Sequence, residues 1–220
     1  MYVEESEWLR DTLAGLDLPA GASVLDVGSQ TLDYRTREQP YVDANVIAPL
    51  RDRGLEVTHL DAKHADGVDV VQDITATDPD PRTAVGSSFD LVICAGTLPY
   101  VEDYETAIRN VAALVGSPGW LVATATERYR LEPDPIDNRW RPAPGDLAAA
   151  FSAAEPALRP VSSASVRVDD PRYYKDWISR PSRMPVMGRW WFPWPGFTDQ
   201  VRRRVSRLHW RQACVLMHRD

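Results

Sequence analysis

Short apolar runs that end in Asp, Gly or a polar residue recur along the chain and alternate with longer polar or helical stretches. The runs are SVLDVGS at 23–29, LEVTHLD at 55–61, GVDVVQD at 67–73, FDLVICAG at 89–96 and WLVATATE at 120–127. Short, nearly continuous apolar runs are typical of strands that are buried on both faces of a parallel sheet. The alternation therefore predicts an α/β fold with helices on both faces of the sheet.

The segments between these runs place apolar residues at helical spacing. Helices are predicted over 41–54, 103–115 and 146–154, with Asp103 capping the second and Pro49 bending the first. Two further runs, at 161–168 and 209–219, are candidates for the last strands, which gives a doubly wound, mostly parallel seven-stranded sheet.

The domain prediction is one domain in two parts, because 220 residues are one to one and a half domain lengths. Residues 1–160 are expected to form the ligand-binding core, and residues 161–220 to add the last strands and a basic, Trp-rich cap between them.

The charge is divided unevenly between these two parts: residues 1–160 have a net charge of −14 and residues 161–220 of +7. An acidic body repels phosphate backbones, so a nucleic acid partner is not expected.

The cysteines and the apolar stretches of the sequence indicate where in the cell the protein is expected and whether it is expected to bind a metal ion. Cys94 and Cys214 are the only cysteines, and no Cys or His cluster has the spacing of a zinc site, so no metal is predicted. The longest apolar stretch is shorter than the ~20 residues of a membrane span. The acidic first residues do not resemble a signal peptide. We therefore expect a cytoplasmic protein with reduced thiols.

Acidic residues stand at the ends of three successive predicted strands, where ligands bind in parallel sheets. Gly28, two residues after Asp26, lets a ligand approach the backbone, although a tight turn needs the same residue. Asp61 offers two acceptor oxygens to the paired hydroxyls of a ribose; a lone acid here is otherwise a cap or a turn. Asp73 can accept from an exocyclic amine beside an apolar Ile74, or can cap a short helix over 74–77.

The motifs LDVGS, HLD, QDI and FDLVICAGTLPYVEDYETAIRNVAALVGSPGWLVAT, with RWRPAPGDLAAAF after them, resemble those of class I S-adenosylmethionine-dependent methyltransferases over residues 22–155. The resemblance implies a Rossmann-like fold, S-adenosylmethionine as the cofactor and methyl transfer as the activity. It implies ribose binding by Asp61 and places Asp73 and Ile74 beside the adenine. It assigns the remaining cofactor site to Asp26, Gly28, Ser29, Ala95 and Gly96.

The chain departs from this family in its first loop and after its fourth strand. Gly28 is followed by Ser29, Gln30, Thr31 and Leu32 instead of further glycines, and residues 30–42 are predicted to be an insertion at the methionine end. Arg35 within it could pair with the cofactor carboxylate, or could be a solvated surface arginine. Pro99 and Tyr100 stand where many relatives have an acid and a histidine.

A general base is needed only for an acceptor of high pKa. The candidates are Tyr100, Glu102, Asp103 and Asp137. Tyr100 is placed first by position, with an aromatic wall of the cleft as its alternative role. Glu102 and Asp103 are also expected at the start of the next helix.

The acceptor side is assigned to the Pro-rich loop 128–145 and the Trp-rich stretch 177–195. This stretch could be a packed cap, a pocket for an apolar or aromatic small molecule that also holds an anionic group, or, in last place, a membrane-surface patch that delivers a lipid-linked acceptor. Two other functions stay open. One is a degenerate S-adenosylmethionine-binding scaffold. The other is an NAD-dependent or nucleotide-sugar oxidoreductase, which would need the Gly-x-Gly-x-x-Gly loop that this chain lacks.

Overall fold

A computed structural model describes residues 1–78, 80–86, 88–128, 137–169 and 210–220, and the structural statements below concern these ranges. The strands are β1 (Ser23–Val27), β2 (Glu56–Asp61), β3 (Val70–Val71), β4 (Phe89–Ala95), β5 (Val115–Arg128), β6 (Leu158–Val168) and β7 (Trp210–Arg219). The helices are α1 (Val3–Ala14), α2 (Pro40–Val42), α3 (Ala48–Asp52), α4 (Pro81–Val85), α5 (Tyr104–Ala113) and α6 (Pro144–Ala154). None of these helices is long and apolar enough to cross a membrane.

Within the described ranges, the strands form one seven-stranded sheet in the order β3-β2-β1-β4-β5-β7-β6. The first five of these are parallel, whereas β7 lies antiparallel to both β5 and β6. The strand order reverses at β1, where the chain crosses to β4, so the carboxyl ends of β1 and β4 flank a crevice. The predicted seven-stranded Rossmann-like fold is confirmed.

Alternating side chains of the central strands build two apolar layers, one on each face of the sheet. Leu25 and Val92 belong to the layer that packs against α5 and α6. Val24 and Ile93 belong to the opposite layer, against α1 and α3. Successive residues of a strand face opposite sides, so strands buried on both faces need apolar residues at nearly every position.

Several elements differ from the sequence predictions. The helix predicted over 41–54 consists of α2, a π-helical turn (Asp43–Ile47) and α3, and residues Tyr34–Glu38 before it form another π-helical turn. The predicted strand 67–73 has only the two residues of β3, and α1 was not predicted. Residue 160, at which the first of the two proposed parts of the domain ends, lies within β6.

Strand β5 is much longer than the run at 120–127 predicted for it. Helix α5 ends at Ala113, and Val115 already pairs with Phe89 of β4. The register between β4 and β5 then shifts before Leu91 pairs with Trp120. The irregular stretch between these pairs contains Gly116 and Gly119, where a Cβ would lie 3.0 Å from the Phe89 carbonyl oxygen and 2.7 Å from the Gly116 carbonyl oxygen, respectively.

Candidate functional site

A cavity of about 540 Å³ lies at the carboxyl ends of β1, β2 and β4 and beside the turn that follows β3. Nine of the ten side chains and glycines predicted for the site line it: Asp26, Gly28, Ser29, Asp61, Asp73, Ile74, Ala95, Gly96 and Tyr100. This volume is in the range of sites that enclose a drug-sized ligand. The fold therefore brings together residues that lie up to 74 positions apart in the sequence.

Asp61 ends β2 with a buried carboxylate that two loop amides hold in place. Its Oδ2 accepts a hydrogen bond from the Gln30 N–H (2.8 Å), and its Oδ1 accepts one from the Lys63 N–H (3.0 Å). A carboxylate has about four acceptor positions, so each oxygen can accept one more hydrogen bond. Asp61 can therefore receive two hydroxyl groups from a ligand in the cavity.

Gln30, in the loop after β1, has a backbone conformation that usually favours glycine. Its φ of 60° lies in the left-handed region, which costs a residue with a side chain about 1 kcal/mol or more. Its amide Oε1 accepts a hydrogen bond from Lys63 Nζ (2.7 Å), and both residues line the cavity. The loop thus has a left-handed residue without a second glycine, a feature that the sequence analysis missed.

Gly28 is required by the packing of the protein itself. Its φ is 71°, and a Cβ at this position would lie 2.1 Å from Thr97 Oγ1, far inside contact distance. Thr97 Oγ1 donates a hydrogen bond to the Val27 carbonyl (3.0 Å), which fastens the turn after β4 to the end of β1. The sequence analysis attributed Gly28 to the close approach of a ligand, whereas in the structure the side chain of Thr97, in the turn after β4, approaches it closely.

Asp26 is held from beneath the cavity by a buried histidine. The Asp26 Oδ2 and His59 Nδ1 atoms are 3.0 Å apart, and Arg51 Nη2 lies 3.0 Å from His59 Nε2. Because arginine can only donate, Nε2 is the accepting nitrogen and Nδ1–H donates to Asp26. His59 is 2% exposed and is thus a core residue, and it fixes the Asp26 carboxylate.

The turn after β3 forms the far wall of the cavity. Asp73 Oδ1 accepts from the Thr75 N–H and Oγ1, both at 2.8 Å, so this acid does stabilise a turn. Ile74 is 5% exposed and faces both the core and the cavity. Asn110 of α5 donates to the carbonyls of Ile74 (2.7 Å) and Ala76 (3.0 Å). These bonds anchor the turn to α5, and no local sequence pattern indicates them.

Arg35 has a different role from the one predicted. Its side chain is 2% exposed and does not line the cavity. Its guanidinium donates to the carbonyls of Ser29 (3.0 Å), Gln30 (2.8 Å) and Gly67 (2.9 Å), and burial lowers its pKa. Three of its five N–H groups are thus bonded to backbone carbonyls of the protein itself. Arg35 is therefore a clamp between two loops, and its burial shows that the interpretation as a solvated surface arginine was wrong.

The turn after β4 forms the near wall and ends in Tyr100. Gly96 follows β4 with a φ of 67°, and a 3-10 turn (Leu98–Tyr100) places Tyr100 at the cavity with 37% of its surface exposed. Asn138 donates to the carbonyls of Leu98 (2.8 Å) and Val101 (2.7 Å). The described end of the Pro-rich loop is thus fastened to the wall that carries Tyr100.

Two of the four candidate bases are occupied by structural hydrogen bonds. Asp103 caps α5, and hydrogen bonds from the side chain and N–H of Thr106 lower its pKa. Burial alone would raise the pKa of Asp137, but hydrogen bonds from Arg141 and the Arg139 N–H outweigh it and lower the pKa. Neither carboxylate lines the cavity, so both are poor bases for chemistry there. Glu102 is exposed and also lies outside the lining.

Two predictions concern residues beyond the described ranges. The Trp-rich stretch 177–195, with its three interpretations, lies wholly outside them, as do residues 129–136 of the Pro-rich loop. Among the residues that the structure describes, no group of three or more His, Cys, Asp and Glu side chains could hold a metal ion.

Comparison with known proteins identifies the fold. No family model and no curated protein sequence matches the chain. Solved structures do match: the cyclase SpnF has a TM-score of 0.58 at 16% identity, over 97% of this chain and 81% of its own. Coclaurine N-methyltransferase, bound to N-methylheliamine and S-adenosylhomocysteine, has a TM-score of 0.56 at 13% identity, over 98% and 72%.

A third match is 1,6-didemethyltoxoflavin-N1-methyltransferase from Burkholderia thailandensis, bound to 1,6-didemethyltoxoflavin and S-adenosylhomocysteine. Its TM-score is 0.51 at 18% identity, over 98% of this chain and 76% of its own. Identities this low establish a shared fold, while function depends on the residues at the site.

Proposed function

We propose that this chain, which has the fold of the class I S-adenosylmethionine-dependent methyltransferases, binds S-adenosylmethionine in the 540 Å³ cavity and transfers its methyl group to a small molecule. The observation that carries the proposal is the clustering of the predicted cofactor residues around one cavity at the point where the strand order reverses. Ligands of open α/β sheets bind at this point.

Each part of the cofactor has a matching group in the proposed site. Asp61, with a free acceptor position on each oxygen, would bind the two ribose hydroxyls. Asp73 and the buried Ile74 would flank the adenine. Asp26, Gly28 and Ser29 would face the methionine end, and Ala95 and Gly96 would line the cleft between them. Each of these residues stands on a strand end or an anchored turn, which suits a site that must hold a ligand in one orientation.

S-adenosylmethionine supplies a methyl group on a positively charged sulfur, and the leaving group is neutral. The protein therefore contributes chiefly by orienting the acceptor and excluding water. We propose Tyr100 as the residue of the cavity wall that meets the acceptor, either as an aromatic surface or through its hydroxyl. The anchored wall formed with Asn138 supports this position.

The loop geometry supports ligand binding, which a degenerate scaffold that still binds S-adenosylmethionine would share with an enzyme, so methyl transfer is the measurement that separates the two. The loop holds Gln30 in a left-handed conformation above the buried Arg35, and backbone strain of this kind clusters at ligand sites. An NAD-dependent oxidoreductase is disfavoured by the antiparallel β7, since the dinucleotide fold continues its order as 3-2-1-4-5-6. The likeness to SpnF, a cyclase, favours one second candidate, which is a protein of this fold that does not transfer a methyl group.

Calorimetric titration with S-adenosylmethionine, S-adenosylhomocysteine and NADH tests the proposed cofactor. We expect the first two ligands to bind and NADH not to bind. Replacing Asp61 with Ala should weaken the binding of both by about 2 kcal/mol or more, because two hydrogen bonds to a charged group are lost. Asp66→Ala is the matched control, since Asp66 is an exposed acid outside the cavity lining. Equal affinities in folded Asp61→Ala and wild type would contradict the ribose assignment.

Transfer of a labelled methyl group tests the activity itself. The protein is incubated with methyl-labelled S-adenosylmethionine and a fraction of cellular small molecules, and label is measured in products separated from the donor. Incorporation that Tyr100→Ala reduces, while cofactor affinity stays unchanged, would support the proposal. Binding without incorporation into any small molecule would favour the second candidate.

A further inference from the structure

A closed ring of hydrogen bonds joins Asp61, Gln30 and Lys63 in the wall of the cavity. The Gln30 N–H donates to Asp61 Oδ2 (2.8 Å), and the Lys63 N–H donates to Asp61 Oδ1 (3.0 Å). Lys63 Nζ then donates to Gln30 Oε1 (2.7 Å), which closes the ring. All three residues line the cavity. The loops after β1 and β2 thus meet through side chains at the position proposed for the ribose.

The lysine of this ring is directed at a neutral amide although an acid stands two positions before it. Within the described residues, Lys63 forms no ion pair with any carboxylate, that of Asp61 included. An ion pair between the two would fill an acceptor position that a ligand hydroxyl needs. Gln30 Oε1 accepts from the ammonium group instead, so the remaining acceptor positions of Asp61 stay open.

The side chains of Lys63 and Gln30 keep donors that the described part of the chain does not use. An ammonium group has three N–H donors, and Lys63 uses one of them, for Gln30. Because lysine can only donate, the amide oxygen of Gln30 faces Nζ, and its NH2 group is left for another partner. A ribose hydroxyl donates one hydrogen bond and accepts two. Asp61 can accept from such hydroxyls but can give their oxygens nothing, whereas its two neighbours hold donors.

The side chain of Gln30 stands on a backbone conformation for which glycine would be less costly. Its φ of 60° strains a residue with a Cβ by about 1 kcal/mol or more, and glycine adopts it freely. Glycine would also keep the backbone bonds of this residue, from its N–H to Asp61 and from Arg35 to its carbonyl. It would lack only the amide that holds Lys63. The side chain at this position therefore serves the ring rather than the loop conformation.

We propose that Lys63 binds the ribose diol of the cofactor and that Gln30 is its positioning residue. This inference rests on the proposed function. While Asp61 accepts from the two hydroxyls, Lys63 Nζ donates to a hydroxyl oxygen of the same diol. Lys63 is also the only Lys or Arg among the described residues that line the cavity. A site built to hydrogen-bond a hydroxyl rejects an analogue that lacks it, so the pair adds to the selection of ribose over deoxyribose.

S-adenosylhomocysteine and its 2′-deoxy and 3′-deoxy forms test this contact without knowledge of the acceptor. Calorimetry gives the affinity of wild type and of Lys63→Met for each ligand. We expect Lys63→Met to weaken S-adenosylhomocysteine about fivefold, the effect of one hydrogen bond. For the form that lacks the contacted hydroxyl, the same substitution should change the affinity less than about twofold, because the contact is already missing. Arg37→Met is the matched control, since it removes an exposed cation outside the cavity lining.

The outcomes separate a contact with the diol from a general effect of charge. Equal weakening of all three ligands by Lys63→Met overturns the proposal, and so does the absence of any weakening. If wild type does not bind S-adenosylhomocysteine, the proposed function itself fails. If wild type binds it and Lys63→Met leaves the preference for ribose unchanged, only the present inference fails.

Gln30→Gly supplies an independent readout, because it separates stability from binding. The substitution relieves the left-handed backbone, so we expect a melting temperature equal to or above that of wild type. The affinity for S-adenosylhomocysteine should nevertheless fall by about threefold to fivefold, and the preference for ribose should fall with it, because Lys63 is no longer held. Unchanged affinity overturns the positioning role of Gln30. A lower melting temperature also overturns it, because the amide would then stabilise the fold.

Discussion

Substituting Gly28 with Ala should be among the most disruptive single-methyl changes in this chain. Two costs combine at this position. An alanine in the left-handed region is strained by about 1–2 kcal/mol. Its Cβ would lie 2.1 Å from Thr97 Oγ1, so the turn after β4 must move. Moving it overpacks the site, at about 1–3 kcal/mol, and breaks the Thr97–Val27 hydrogen bond, at about 1 kcal/mol.

The chain contains a matched control for the strain alone. Gly21 has a φ of 82°, and a Cβ there would meet nothing within 4 Å. Urea unfolding of the two variants should therefore show a loss of about 1–2 kcal/mol for Gly21→Ala and about 3–6 kcal/mol for Gly28→Ala. The difference measures the clash with Thr97.

A double mutant tests the cause of that difference. Thr97→Gly removes all three atoms that crowd the new Cβ. Combined with Gly28→Ala, it should recover about 1–3 kcal/mol relative to the sum of the single changes. If Gly28→Ala costs no more than Gly21→Ala, or if the two changes are simply additive, the reasoning from close contact is refuted.

Two further predictions concern a helix cap and the buried thiols. Asp103→Ala should lower the melting temperature by about 2–4 °C at pH 7. Because the pKa of Asp103 is lowered in the folded protein, this difference should be present at pH 7 and shrink as the pH falls through the folded pKa; a difference that stays constant throughout the acid range would contradict the cap. Burial raises the pKa of the Cys94 thiol to about 12 and that of Cys214 still further. Neither should react with a thiol reagent at pH 8 until the protein is denatured, and rapid labelling of the native protein would contradict their burial.

The sheet and the strand-end acids could be predicted because their signals are local. Each buried strand is a contiguous apolar run, and Asp61 follows its run directly. The short β3 could not be predicted in this way. Asp69 Oδ2 accepts from the His59 N–H (2.8 Å), so a side chain takes a position that a longer strand would fill with a carbonyl. Whether the Asp69 side chain forms this hydrogen bond depends on the neighbouring strand β2, not on the apolar residues of the run 67–73.

The residues that sequence analysis missed or misassigned have partners far away in the chain. Arg35 contacts the Gly67 carbonyl 32 positions later, and Glu5 contacts Thr124 after 119 positions. A polar residue in a helix or an insertion is expected at the surface unless its partner is known. The pattern around Glu5 indicates only a helix start, whereas its burial and contacts depend on the completed sheet.

The clamp made by Arg35 bears on the thermodynamics of ligand binding. Its three hydrogen bonds connect the loop after β1 with the loop after β2, so the backbone that carries Gln30 is ordered before a ligand arrives. A loop that is disordered until binding loses about 1–2 kcal/mol of backbone entropy for each residue that it fixes. Here that loss occurs during folding. Ligand binding should therefore carry little entropic penalty from this loop. Most of the intrinsic affinity of the site should then appear in the measured dissociation constant.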